Sequence, residues 1–261
     1  MALWLRFELA GRTGFGTLED GAVRVRDGDM LGESRPTGET LPLAGLKVLT
    51  PVRPSKFIAL VNNFREAVSK QGLAVPAEPL YFLKAPNAFL APGEAIRLPS
   101  PEVGKVIYEG ELGLVIGREA RGVGEAEADG FIFGYTCVND VTALDLLGRD
   151  PAFAQWTRAK GFDTFGPFGP VVATGLDPDQ LTVRTLLKGK VRQEYPCRDM
   201  IFSPRALVSR ISREMTLFPG DLIACGTSVG IGVLRAGSSV EVVIDGIGTL
   251  SNPILGTESA A

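Results

Sequence analysis

The sequence predicts a mixed, mostly β fold, and three observations carry that reading. Short apolar runs recur along the chain and are punctuated by 32 glycines and 18 prolines, so turns are frequent and long helices few. Strand-like and helix-like segments do not alternate regularly, which argues against a doubly wound parallel sheet. Apolar residues make up 45% and charged residues 22% of the chain, enough to bury a substantial core.

Element by element, residues 6–9, 14–18 and 22–25 alternate apolar and polar between Gly- and Asp-containing turns, the pattern of short hairpins. A Pro/Gly-rich stretch follows, and 49–54, carrying Pro51 and Pro54, reads as a connector. This divides the chain into a small β-rich N-terminal domain, 1–50, and a larger domain, 51–261. In the larger part, 56–61 opens a β-rich body. Further strands are predicted at 105–117, 131–139, 170–174, 181–187, 222–225 and 239–245. The clearest helix is 204–215: Ser203 caps it, Pro204 suits its first position, and Leu207, Ile211 and Met215 repeat every fourth residue. A short helix is predicted at 64–71 before Gly72, and another from Asp140 through Leu147. No internal repeat is visible.

Composition excludes several functions. The net charge is −3 with no basic block, which gives no footprint for nucleic acid. No run approaches the roughly 20 apolar residues of a membrane span, and the start lacks a signal-peptide stretch. Cys137, Cys197 and Cys225 have no CxxC spacing and read as buried thiols of a reduced cytoplasm. The chain has no histidine. That removes the usual general base and the commonest zinc ligand together.

The chemistry must therefore run on other groups. Glu109 and Glu111 lie in an apolar run; on a strand their side chains share one face, with Tyr108, Leu112, Leu114 and Ile116 on the other. Alone, such a pair also describes a solvated strand face. Asp140 ends a second apolar run, where it either overlooks a site or caps the following helix. Three carboxylates without soft donors match Mg²⁺ or Mn²⁺ better than zinc. Arg158, Lys160 and Asp163 fall in a Gly/Pro/Phe-rich turn. They read either as surface charges and a turn cap, or as a loop that holds an anionic substrate. The stretch 225–232 has neither Walker A nor dinucleotide spacing. It is a flexible hairpin loop or a cradle in which Gly226 and the Thr227 hydroxyl meet a carboxylate.

Taken in order, Tyr81-Phe82-Leu83-Lys84-Ala85-Pro86-Asn87, Tyr108-Glu109-Gly110-Glu111-Leu112, Gly134 to Asp140, Lys160 to Pro167 and Pro219 to Thr227 resemble the fumarylacetoacetate hydrolase family over about residues 50–255. The wording is most similar to its 2-hydroxyhepta-2,4-diene-1,7-dioate isomerase and 5-oxopent-3-ene-1,2,5-tricarboxylate decarboxylase branch in aromatic catabolism. The resemblance implies a fumarylacetoacetate hydrolase-type β-roll with a small N-terminal domain, usually a homodimer. It implies Mg²⁺ or Mn²⁺ on Glu109, Glu111 and Asp140, an active-site lysine at Lys160, and a small 2-oxo acid as substrate. Lys84, Arg158, Asp163, Gly226 and Thr227 would then surround that substrate.

One motif departs from the pattern. Many members carry Asn-Tyr-x-x-His-x-x-Glu on a lid, and the His/Glu pair activates the hydrolytic water. Here the stretch runs from Asn63 to Lys70, with Ala67 at the histidine position and Lys70 at the glutamate position. Glu66 is the nearest replacement base, but one residue along a helix turns a side chain by about 100°. The expectation is therefore decarboxylation or enol–keto isomerisation. The alternatives are a C–C hydrolase using Glu66 or Lys160 as base, and a metal-binding protein without turnover.

Overall fold

A computed structural model describes residues 1–257. The architecture is mostly β, built on three sheets. The largest has twelve strands, and its main path runs Ser34–Pro42, Ala22–Gly28, Arg12–Glu19, Ala2–Leu9, Gly166–Thr174, Ile132–Asn139, Gly110–Ile116, Leu222–Ala224, Phe57–Val61 and Leu80–Lys84. A five-stranded sheet contains Lys190–Pro196, Thr182–Leu187, Ser238–Ile244, Gly248–Leu255 and Ile96–Arg97. A small third sheet joins Thr142–Ala143, Val106–Tyr108 and Gly232–Val233.

The N-terminal hairpins form as their alternation predicts, and they extend the large sheet rather than building one of their own. Ala2–Leu9 pairs antiparallel with Gly166–Thr174, placing Leu3 opposite Ala173. Leu5, Phe7 and Val23 enter the same core as Leu112, Leu114 and Ile223. Ser34–Pro42, which reads as a Pro/Gly-rich connection, is a strand. It lies at the outer edge of the sheet, where Pro36 has no second neighbour to supply with a hydrogen bond.

Gly110–Ile116 is buried along its whole length between Ile132–Asn139 and Leu222–Ala224. A strand covered on both faces reads as a continuous apolar run, which is why Leu112, Leu114, Val115 and Ile116 follow so closely. Burying Leu112 and Leu114 completely contributes roughly 1.5–3 kcal/mol each. Gly110 admits nothing larger: a Cβ there would stand 2.0 Å from the Thr185 hydroxyl of the facing sheet.

The main helix is Pro204–Glu214, with the Ser203 hydroxyl accepting from the Ala206 N–H. It buries Leu207, Val208 and Ile211 against the core. Three local expectations need correction. The predicted strand 105–117 is two strands separated at Glu109. The helix expected from Asp140 begins only at Leu144, because Thr142 and Ala143 pair with Ile107 and Val106. Its cap position is Ala143, so Asp140 is not a helix cap. Finally, Trp156–Lys160 is a short helix rather than part of a loop.

Candidate active site

The two sheet crossings explain how the acids come together. Val106–Tyr108 belongs to the small sheet and Gly110–Ile116 to the large one, so the chain changes sheets at Glu109. The neighbouring strand makes the same change at Asp140, between Ile132–Asn139 and Thr142–Ala143. The crossings are stitched to each other. The Glu109 N–H donates to Asn139 Oδ1 at 3.1 Å, and the Asp140 N–H donates to the Glu109 carbonyl at 2.9 Å. Glu111 lies two residues further on, and oxygens of all three carboxylates fall within 4.8 Å of one another.

Each carboxylate has a distinct set of partners. Glu109 Oε2 accepts from the Thr142 hydroxyl at 2.9 Å and from Lys160 Nζ. Asp140 accepts from Lys160 Nζ on one oxygen and from Lys84 Nζ on the other, each at 2.5 Å. Glu111 accepts from the Gly226 N–H at 2.7 Å. Gly226 adopts φ +91°, a left-handed conformation that glycine enters without strain, and this turns its N–H towards Glu111.

Burial and charge set the protonation states. Glu111 is 1% exposed; burial and then the charges of Asp140 and Glu109 push its carboxyl well above the usual range. Burial alone would raise Asp140 too, but Lys160 and Lys84 outweigh it and hold that carboxyl low. Lys160 is the mirror case: burial lowers it, and Asp140 with Glu109 more than compensate, so it stays charged. Burial lowers Lys84, although Asp140 opposes the change. The repulsion from Asp140 and Glu109 that raises Glu111 marks a cluster short of positive charge. This donor set fits a divalent cation such as Mg²⁺ or Mn²⁺.

A cavity of about 310 Å³ opens above the acids. Glu109, Glu111, Thr142 and Lys160 form its floor, and Leu144, Leu147 and Trp156 form one wall. Lys160 Nζ also lies 4.9 Å from the Phe82 ring, which stacks on Trp156 with centroids 5.1 Å apart. The short helix Trp156–Lys160 thus carries both a wall residue and the floor lysine.

Not every residue nominated from the sequence reaches this cavity. Lys84 is fully buried behind Asp140 and donates to its carboxylate and to the Val141 carbonyl, so it supports Asp140 and does not line the cavity. Arg158 is exposed on the outer side of its helix and does not line the cavity. Asp163 is likewise exposed, accepting from Asn87 at 2.7 Å to tie its turn. Gly226 spends its N–H on Glu111. Thr227 does line the cavity, with its hydroxyl donating to the Gly110 carbonyl at 3.0 Å. Glu66 faces solvent, pairs with Lys70 at 2.7 Å and does not line the cavity. Ala67 faces the cavity from the same helix, as the 100° offset requires.

Sequence reasoning missed Gln193. From the five-stranded sheet its amide accepts from the Gly110 N–H at 3.0 Å and donates to Thr227 Oγ1 at 2.9 Å. It fixes the backbone between the two glutamates and the glycine-rich loop together. Tyr195, next inward on that strand, donates to the Gly110 carbonyl. Nothing short-range in the sequence marks either, because their partners lie about 80 residues away.

The fumarylacetoacetate (FAA) hydrolase C-terminal profile matches residues 56–255. The chain belongs to the fumarylacetoacetate hydrolase family. Residues 3–51 match the Rv2993c-like N-terminal profile. An uncharacterized protein of Archaeoglobus fulgidus is 43% identical over 95% of this chain and 94% of its own. Oxaloacetate tautomerase YisK of Bacillus subtilis is 36% identical over 81% of this chain and 74% of that protein. The crystal structure of 2-hydroxyhepta-2,4-diene-1,7-dioate isomerase from Mycobacterium marinum superposes with a TM-score of 0.90 at 37% identity, covering 99% of this chain and all of that one. Members of the family bind divalent metals, in keeping with the acidic floor described here. No described helix is long and apolar enough to cross a membrane.

Proposed function

We propose that this chain is a Mg²⁺- or Mn²⁺-dependent enzyme of 2-oxo acids that interconverts enol and keto forms or decarboxylates through the same enolate. The observation that carries this reading is the cluster of Glu109, Glu111, Asp140 and Lys160, of which Glu109, Glu111 and Lys160 line the cavity, with no His/Glu dyad facing them among the described residues. A bound divalent cation supplies Lewis-acid stabilisation of negative charge on the 2-oxo oxygen and carboxylate.

The protein's own groups supply the rest. Thr142 and Lys160 orient Glu109, while Lys84 and Lys160 orient Asp140. Lys160 Nζ lines the cavity and is held charged by Asp140 and Glu109, so it serves to hold an anionic oxygen rather than to remove a proton from water. Isomerisation transfers one proton from the enol oxygen to C3, and decarboxylation returns one proton to the carbon that loses CO₂. Neither needs an activated water. The relatives named an oxaloacetate tautomerase and a dienedioate isomerase support the same choice. Hydrolysis needs a base beside a water. Ala67 occupies the cavity-facing position, and Glu66 and Lys70 neutralise each other outside.

The test is a comparison on Mn²⁺-loaded protein. Enol forms of 2-oxo acids are followed by loss of enol absorbance, with CO₂ and acetate release measured in parallel. Accelerated ketonisation or CO₂ release is expected. Acetate release from an acylpyruvate at the greater rate would establish a hydrolase instead.

A further inference from the structure

Resting on that reading of the site, we propose that Ser228 determines substrate specificity: its hydroxyl, with the Asn62 and Gln71 amides, receives a carboxylate at the end of the substrate remote from the acidic floor. The inference starts from one hydroxyl. Ser228 is 3% exposed and lines the cavity, yet its Oγ has no hydrogen-bond partner among the described residues. A buried hydroxyl left unpaired is costly, so a ligand that offers it an acceptor recovers what folding gives up.

The two residues before Ser228 have their donors engaged. The Gly226 N–H serves Glu111, and the Thr227 hydroxyl serves the Gly110 carbonyl. Ser228 is anchored differently: its carbonyl accepts from Gln193 Nε2 at 3.3 Å, so the backbone is held while the side chain stays uncommitted. The segment after Phe57–Val61 meets this loop. Asn63 stitches the two, its amide donating to the Cys225 carbonyl at 2.8 Å and to the Phe202 carbonyl at 3.1 Å. Asn62 beside it adopts φ +55°, a left-handed conformation that asparagine tolerates, and lines the cavity. Gln71 lines it four residues beyond Ala67, one turn further along. Neither the Asn62 nor the Gln71 amide has a hydrogen-bond partner among the described residues. Ala67 contributes only a methyl group to the same lining, which leaves room for substrate atoms.

A hydroxyl and two carboxamides present donors without a fixed charge. A carboxylate accepts about four hydrogen bonds through its two oxygens, enough for all three groups, and bonds to a charged acceptor are the stronger ones. An ester or ketone oxygen would use the same donors with less gain. The apolar wall of Leu144, Leu147 and Trp156 then lies along the carbon chain that joins the two ends.

The experiment measures binding, independently of turnover. Mn²⁺-loaded protein is titrated calorimetrically with 2-oxopentanoate and 2-oxoglutarate, which share a chain length and differ in the terminal carboxylate. 2-Oxohexanoate and 2-oxoadipate repeat the comparison one carbon longer. At one of the two lengths the diacid should bind at least about tenfold more tightly than its monoacid, the lower bound for hydrogen bonds to a charged acceptor. The distal methyl ester of that diacid should fall between them. Ser228→Ala should cut the diacid-to-monoacid ratio at least about fivefold, and Gln71→Ala, at an exposed position, should lower it too. Ligand-free Ser228→Ala should melt no more than about 2 °C below the parent, because the hydroxyl it removes has no partner. A larger loss would make Ser228 a structural residue and overturn the assignment. Equal affinity for diacid and monoacid at both lengths, or a ratio unchanged in Ser228→Ala, would overturn the subsite and leave the site reading intact. An ester that binds as tightly as its diacid would overturn the choice of a carboxylate. Failure of every 2-oxo acid to bind the Mn²⁺-loaded protein would refute the site reading itself, and the subsite with it.

Discussion

Replacing Lys84 with methionine separates a supporting cation from a substrate ligand. The lysine Nζ lies 2.5 Å from Asp140 Oδ1, and the two side chains are 0% and 1% exposed. Methionine keeps most of the stem but leaves Asp140 Oδ1 buried without its partner. Breaking a fully buried pair by removing one member typically costs about 3–5 kcal/mol; Asp140 keeps Lys160 on its other oxygen, which sets the cost at the lower end, about 3 kcal/mol. For a protein of this size that lowers Tm by roughly 6–12 °C.

The same substitution removes one positive charge from beside the three carboxylates. Mn²⁺ affinity should therefore hold or tighten, and excess Mn²⁺ should recover part of the lost stability. At one hundred times Kd, the linkage contributes about 2.7 kcal/mol. The assay is thermal unfolding of parent and variant in chelator and in excess Mn²⁺. A chelator Tm within about 2 °C of the parent, together with weakened binding of 2-oxopentanoate, would refute this placement and return Lys84 to the substrate.

Three further outcomes follow from the same geometry. Glu111→Ala removes one of three carboxylates and should weaken Mn²⁺ binding at least about tenfold by calorimetry, whereas unchanged affinity would remove Glu111 from the metal site. Lys160→Met should abolish ketonisation while leaving Mn²⁺ affinity within a few-fold; an unchanged kcat/KM would take Lys160 out of the chemistry. Glu66→Ala should leave kcat/KM unchanged and cost less than about 1 kcal/mol of stability, since it removes only an exposed pair. A large loss of turnover in that variant would restore Glu66 as a base.

The β character and the grouping of Glu109, Glu111 and Asp140 were legible in the sequence. Helix Pro204–Glu214 was legible from its cap and its fourfold spacing, which act within a single turn. Glu109, Glu111 and Asp140 were ambiguous one by one, as a solvated strand face and a helix cap, and the family resemblance is what joined them into one set. The break at Glu109 was not, since nothing within 105–117 reveals that Val106–Tyr108 pairs with Thr142–Ala143 while Gly110–Ile116 pairs with Ile132–Asn139. Lys84, Arg158 and Asp163 lie off the cavity lining for a related reason. Their neighbourhood in sequence is charged and turn-like, but orientation is set by packing. Lys84 turns inward from an edge strand, whereas Arg158 turns outward from a helix whose length the sequence did not reveal.

The paired sheet crossings also explain why this cluster tolerates so much buried charge. A continuous ladder would place Glu109 and Asp140 as opposed residues with their backbones engaged in regular pairing. By leaving both sheets at the same level, the two strands free these positions from the ladder, and Asn139 and Asp140 satisfy the exposed backbone groups of Glu109. The acids then project from backbone held on both sides by buried strands. Thr142, Lys84, Lys160 and the Gly226 N–H fix their orientation. Such a floor costs folding free energy, and three neighbouring carboxylates with two lysines recover it only in part. A cation entering from the cavity side completes the compensation. The protein should accordingly gain more stability from Mn²⁺ than a surface metal site would provide. That gain should fall by at least about 1.4 kcal/mol in Glu111→Ala at the same Mn²⁺ concentration, the linkage equivalent of a tenfold loss of affinity.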